Sequence, residues 1–120
     1  MAEHNQLGKK GEEIAVAFLE KLGYEVISTN WQEKKFEIDI ITIDNDEMVF
    51  VEVKTRSTAI FGKPEEAVTL KKQEHLVEGA DYYIQENEVD LEARFDIVSI
   101  ILNSHQEEIK HIKNAFYPEV

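Results

Sequence analysis

Hydrophobic and polar positions alternate in blocks along the chain, and the densest apolar block lies near its middle. From Phe36 to Arg56 the sequence FEIDIITIDNDEMVFVEVKTR reads as two strands joined by the polar turn Asp44-Asn45-Asp46-Glu47. Both are nearly continuous Ile/Val/Phe runs, the pattern of strands covered on both faces of a sheet. Upstream, Ile14, Ala15, Phe18, Leu19 and Leu22 recur at helical spacing, which predicts a helix from Leu7 to Leu22 stopped by Gly23. Tyr24 to Trp31 reads as a strand in which Trp31 serves sheet packing rather than base stacking. Downstream, a loop from Ser57 to Pro64 precedes a helix capped by Thr69 and running to Gln85, with Leu76, Val77, Ala80, Tyr83 and Ile84 as its buried stripe. Strands Ala93–Leu102 and Glu108–Phe116 follow, joined by a turn at Asn103–Glu107. The pattern predicts one α/β domain over residues 1–120, a central mixed β-sheet flanked by helices, with residues 1–6 polar and expected to fray.

Charges are costly inside such a sheet, yet Glu37, Asp39, Glu52 and Lys54 interrupt the central runs. Successive side chains of a strand point to opposite faces, so Glu37, Asp39, Ile41 and Ile43 share one face and Met48, Phe50, Glu52 and Lys54 share another. If Asn45-Asp46 forms a two-residue loop, Asp44 lies opposite Glu47. That register carries Asp39 opposite Glu52 and Glu37 opposite Lys54. Directly opposed Cβ atoms lie roughly 4.5–5.5 Å apart. Two carboxylates held so closely raise a pKa or recruit a cation.

An Asp on one strand and Glu-x-Lys on the next suit phosphodiester chemistry. Mg²⁺ binds through one or two carboxylates and leaves positions for water and substrate phosphate. Lys54, two residues after Glu52, points the same way and could orient a nucleophilic water or neutralise developing charge. The same spacing also fits a plain hairpin in which Glu37 pairs with Lys54. Glu12 is the first-helix carboxylate able to lean inward, as a supporting group or as compensation for the helix dipole.

Asp39, then twelve residues, then Glu52-Val53-Lys54 resembles the PD-(D/E)XK signature of restriction-endonuclease-like nucleases. Gly8-x-x-Gly11-Glu12-x-x-Ala15, Glu37-Ile38-Asp39, Phe50 to Arg56, Ala67-Val68-Thr69, Lys72-Gln73, Arg94-Phe95-Asp96 and Ile112 to Phe116 resemble the small bacterial YraN-like family. This likeness covers the chain from about Gly8 to Phe116. It implies a restriction-endonuclease-like core and a nuclease dependent on Mg²⁺ (or Mn²⁺), similar to resolvases that cut branched DNA. Asp39, Glu52 and the Val53 carbonyl would hold the metal, Lys54 would position water, and Glu12 would support them. Gln73 and Lys72 would hold phosphate or water from the second helix, with Arg56, Lys9 and Lys10 contacting nucleic acid. Symmetrical cutting of a junction would need two sites, hence a homodimer. Phe36 stands where the family usually has Gly, and a large side chain there would crowd an approaching backbone.

Charge pulls the other way. The chain has 13 basic and 25 acidic residues and a net charge of −12, where a DNA-binding domain commonly shows a basic footprint. The excess is concentrated late: residues 81–120 carry 3 basic and 9 acidic residues, residues 1–80 carry 10 and 16. Lys9-Lys10, Lys34-Lys35, Lys71-Lys72, Lys54 and Arg56 could still form a local patch. There is no cysteine, so disulfides and thiolate metal sites are excluded. The four histidines form no ligand pair at helical spacing, and neither a P-loop nor a dinucleotide fingerprint is present, so no nucleotide cofactor is expected. No run reaches the length of a membrane span and no signal-peptide core is visible, so a cytoplasmic protein is expected. Two further classes fit these residues. One is a binding module of the same fold without activity; the other is an interaction domain whose hairpin charges only pair with each other.

Overall fold

The computed structural model describes the backbone of residues 2–117 and the side chains of residues 6–117. Helix α1 (Ala2–Lys21) is followed by strands β1 (Glu25–Glu33), β2 (Phe36–Asp44) and β3 (Glu47–Arg56). A short 3₁₀ turn (Pro64–Ala67) then leads into helix α2 (Leu70–Glu86) and strands β4 (Glu92–Leu102) and β5 (Glu107–Ile112). The strands form one mixed sheet in sequence order; β3 and β4 are parallel and the other neighbours antiparallel. This is the expected α/β architecture of a central mixed sheet flanked by two helices. Among the described residues no helix is long and apolar enough to cross a membrane.

Boundaries differ from expectation where tertiary packing overrides local pattern. The first helix begins at Ala2, within the segment expected to fray. β1 continues to Glu33 and meets Phe36 across a two-residue turn, in which Lys34 takes a φ of 56°. Asparagine or glycine would ordinarily advertise such a turn; Lys-Lys does not. β5 stops at Ile112 rather than Phe116. Beyond it the chain turns at Asn114, Ala115 N–H donates to the Phe95 carbonyl at 2.7 Å, and Phe116 is buried among core side chains. The loop after β3 is less polar than its breakers suggested, since Ile60 and Phe61 are 79% and 96% exposed.

Each helix covers its own face. Ala15 and Leu19 of α1 pack on Ile40, Val49, Val51, Val53, Val98 and Ile100. Leu76, Ala80 and Tyr83 of α2 pack on Ile41, Met48, Phe50, Phe95 and Ile97. Alternation explains these two sets along β3 and β4. In β2 it holds at Ile40 and Ile41 but fails beyond Asp39. Ile38 joins the α2 side with Ile41 instead of following Ile40, and Phe36 lies over Gly79 of α2 between His75 and Tyr82.

The hydrogen-bonded ladder records the same break. β2 pairs with β3 from Asp44↔Glu47 to Ile40↔Val51 and no further, whereas β3 stays paired with β4 as far as Arg56↔Ile101. The two-residue turn, with Asn45 at φ 57°, therefore sets the register expected from sequence, and the strands then fork.

The far end of the hairpin is held by a buried ion network. Arg94 of β4 donates to Asp96 at 3.0 Å, to Asp44 at 2.9 Å and to Glu47 at 3.0 Å, clamping the β2–β3 turn to β4. Asp96 is fully buried and also accepts from His111 at 2.7 Å and from Asn114 N–H at 3.0 Å. Burial opposes its charge, but these donors outweigh it and hold its pKa down to about 2.

Close helix–sheet approach at the other end depends on Gly11, where an added Cβ would collide with the Thr55 side chain. A Cβ at Gly8, three residues earlier, meets nothing within 4 Å. Gly11→Ala should therefore destabilise the fold by about 1–3 kcal/mol. Gly8→Ala should stabilise it by up to about 1 kcal/mol through helix propensity. Urea unfolding of both variants checks the pair; Gly11→Ala at or above wild-type stability would contradict the packing described.

Candidate functional site

The fork opens a cavity of about 790 Å³ lined from both sides of the sheet: Gly8 and Glu12 of α1, Asp39 of β2, Glu52 of β3, and Lys72 and His75 of α2. An unbroken ladder would keep the two helices apart. Where β2 leaves β3, the Val53 N–H loses its place in the antiparallel pairing. It donates instead to the Asp39 carboxylate at 2.8 Å. N–H and carbonyl of one strand residue point to the same side, so the Val53 carbonyl also faces the gap.

Asp39 and Glu52 lie just past the last paired positions, Ile40 and Val51, and both line the cavity, where the charge of Asp39 acts on Glu52. Burial raises the Asp39 pKa, with its hydrogen bond to Val53 opposing. Burial and then the charge of Asp39 push Glu52 up to about 8. Lys54 Nζ lies 3.7 Å from the Glu52 carboxylate, too long for a good hydrogen bond but close enough to ease its ionisation. Lys72, from the first turn of α2, reaches the Lys54 amine; that contact is the main cause lowering its pKa, and Glu52 works in the opposite direction. Glu12 is half-buried, and its pKa is raised by burial and then by Asp39 while the Asn30 side chain hydrogen-bonds it.

The expected residues separate into two groups. Asp39, Glu52, Val53, Lys54, Glu12 and Lys72 line one cavity. Gln73 does not join them: its amide donates to the Val68 carbonyl at 3.1 Å, and its side chain lines a different cavity with Leu70, Val77 and Phe116. The helical periodicity explains this, because Lys71, Lys72, His75 and Leu76 share one arc of α2 and Gln73, about 100° on from Lys72, falls beyond its edge. Lys9, Lys10 and Arg56 are exposed and lie outside the cavity wall. The ion pair between Glu37 and Lys54 is also absent among the described residues, since the ladder ends before those positions meet and Lys54 turns to Glu52. Phe36 is turned onto α2 rather than into the approach. Lys35 and Lys71, expected only as members of a basic patch, line the cavity, and so does His75, which was not singled out from sequence. Lys71, His75 and Glu78 follow an i, i+4, i+7 polar stripe on α2, which was the available signal.

Chemically, the site combines two buried carboxyl groups, a backbone carbonyl and two amines. That set can bind a hard cation at the carboxyls and an anion at the amines. Among the described residues no group of three or more His, Cys, Asp or Glu is placed to hold a metal ion. Any cation would therefore rest on the pair, the carbonyl, water and substrate.

The raised pKa has a signed consequence for stability. Glu52 titrates near 4.5 when unfolded and about 8 when folded, so the folded chain holds a proton that the unfolded chain releases. Its contribution is fully present below the unfolded value and is lost as pH rises through about 8. In metal-free buffer the melting temperature should fall from about pH 5 to about pH 8 and level off above, and Glu52→Gln should remove most of that slope. Thermal melts across that range test this; an unchanged slope in the variant would place the titration elsewhere.

A family model described as "Uncharacterised protein family UPF0102" matches residues 11–100. A UPF0102 protein of Bacteroides thetaiotaomicron is 49% identical over 118 residues, covering 98% of each chain. UPF0102 proteins of Christiangramia forsetii and Flavobacterium psychrophilum are each 46% identical over 117 residues, again covering 98% of both chains.

Proposed function

The chain belongs to the uncharacterised protein family UPF0102, and from its site we propose that it is a metal-dependent phosphodiesterase acting on nucleic acid. The convergence of Asp39 and Glu52 at the fork, beneath two lysines, carries this reading. The PD-(D/E)XK resemblance agrees with it in residue type and order. Asp39, Glu52 and the Val53 carbonyl would hold Mg²⁺ or Mn²⁺, and the donor set fits: a carboxyl pair that retains a proton near neutrality has a place for a second cation. A bound divalent ion supplies an acidified water and neutralises charge on a phosphoryl oxygen. Lys54 orients the attacking water and Lys72 holds a non-bridging phosphate oxygen. Glu12, fixed by Asn30, adds negative charge beside Asp39 and strengthens the cation preference. DNA with branched or otherwise structured regions is the substrate class the resemblance implies, and two-fold cutting of a junction would require a second copy of the chain.

A second reading, a binding module of the same fold without activity, draws on one observation: the described residues supply only two converging carboxylates where a tightly held metal would want more.

Metal-linked stability and cleavage separate the two. Millimolar Mg²⁺ or Mn²⁺ should raise the melting temperature, and 100-fold excess over Kd corresponds to about 2.7 kcal/mol. Junction, flap and single-stranded DNA should be cut by wild type, with Glu52→Ala and Lys54→Ala reduced by about 100-fold or more. Variants that cut as well as wild type would overturn the proposal, and a thermal shift without cleavage would favour the binding module.

A further inference from the structure

Beside the cavity mouth three aromatic rings follow one another along α2. Phe36 lies 5.4 Å from His75 and 5.7 Å from Tyr82, ring centre to centre, with interplanar angles of 39° and 35°. His75 is exposed and lines the cavity that contains Asp39 and Glu52; Phe36 and Tyr82 are half-buried. The row is held firmly. Phe36 sits over Gly79, where even a methyl group would come within 3.2 Å of its Cβ, and His75 Nε2 is hydrogen-bonded to the Lys35 carbonyl at 3.1 Å. Trp31 continues the row inward, edge-on to Tyr83 at 5.5 Å, and belongs to the packing of the sheet on α2.

Long-range charge does not draw a polyanion to this face. The net charge is −12, and the cavity wall itself carries more carboxylates than lysines. Phosphate contacts alone would give weak binding that salt abolishes. Affinity must then come from short-range contact, and aromatic side chains next to lysines supply it for nucleobases: stacking accepts any base, provided its face is free. In a duplex those faces are covered by neighbouring base pairs. We propose that Phe36, His75 and Tyr82 form a stacking platform for an unpaired base, so that the strand entering the carboxylate site is single-stranded where it passes α2. Lys35, whose Nζ lies 5.7 Å from the centre of the Phe36 ring, stands where it can meet the phosphate of the stacked nucleotide. This inference rests on the nucleic-acid reading of the site and specifies the substrate that site accepts.

Binding is measured without metal, in EDTA at low salt, so that catalysis plays no part. Fluorescence anisotropy compares a single-stranded oligonucleotide with its duplex, and a 2-aminopurine in the single strand reports stacking by quenching. Wild type should prefer the single strand and quench the probe. His75→Ala, on the exposed ring, Phe36→Leu, which keeps apolar volume over Gly79, and Tyr82→Leu should each weaken single-strand binding by roughly 5- to 150-fold and restore emission. Duplex binding should be unaffected. Glu52→Ala should lose cleavage while retaining the single-strand preference. Equal binding of single and double strands, or quenching that persists in all three ring variants, overturns the platform while leaving the phosphodiesterase reading standing. Absence of binding to either form overturns both.

Discussion

The parting of β2 from β3 after Ile40↔Val51 governs what this protein can do. A five-stranded sheet is ordinarily a wall, and the helices on its two faces see different cores. Here the wall opens at one edge of its central strand. Glu12 from one side and Lys72 and His75 from the other thereby share a cavity with Asp39 and Glu52. The opening is kept from collapsing by two features with different physics. Ile38 and Phe36 gain burial against α2 by leaving the alternation of β2. The Asp39 carboxylate satisfies the Val53 N–H that the departed strand no longer accepts from.

That second feature ties structure to chemistry. A carboxylate that caps a strand is fixed in position by its backbone partner, and Glu52 lines the same cavity beside it. The pair is consequently half-dry and crowded, and burial raises both of its pKa values. At the opposite end of the hairpin the Arg94 network solves a related problem by the opposite means. There the buried carboxylate Asp96 is surrounded by donors and its pKa falls. One carboxylate set is satisfied by the protein and the other is left wanting. The two sets of acids are thus told apart by their partners, not by burial alone.

The sequence disclosed a good part of this. Asn45 permitted a two-residue turn, and that turn fixed which acids oppose each other; the observed pairing from Asp44 to Ile40 is the one it dictates. Thr69 was legible as a cap and accepts from Lys72 N–H at 3.3 Å. The fork was not legible, because it depends on Phe36 finding Gly79, a contact between residues 43 positions apart that no local pattern encodes. For the same reason the alternative hairpin reading, with Glu37 paired to Lys54, does not hold, while Glu37 lines the cavity; and Phe36 was expected to obstruct a site it instead borders. Gln73 and Lys72 looked equivalent in sequence. One helical step turns Gln73 away. Lys35 and Lys71 were legible only as members of a basic patch, and His75 looked like solvated surface, which locally it is.

The fork buries Asp39 and Glu52 side by side, so burial raises the pKa of both carboxyls and the charge of Asp39 raises Glu52 further. Carbon-13 NMR titration of the side-chain carboxyl carbons reads this directly. The account predicts that the Glu52 resonance moves with a midpoint of about 8 in metal-free solution, and that Asp39 also titrates above its ordinary value of 3.8. Both carboxyls titrating independently in the ordinary range near 4 would contradict it.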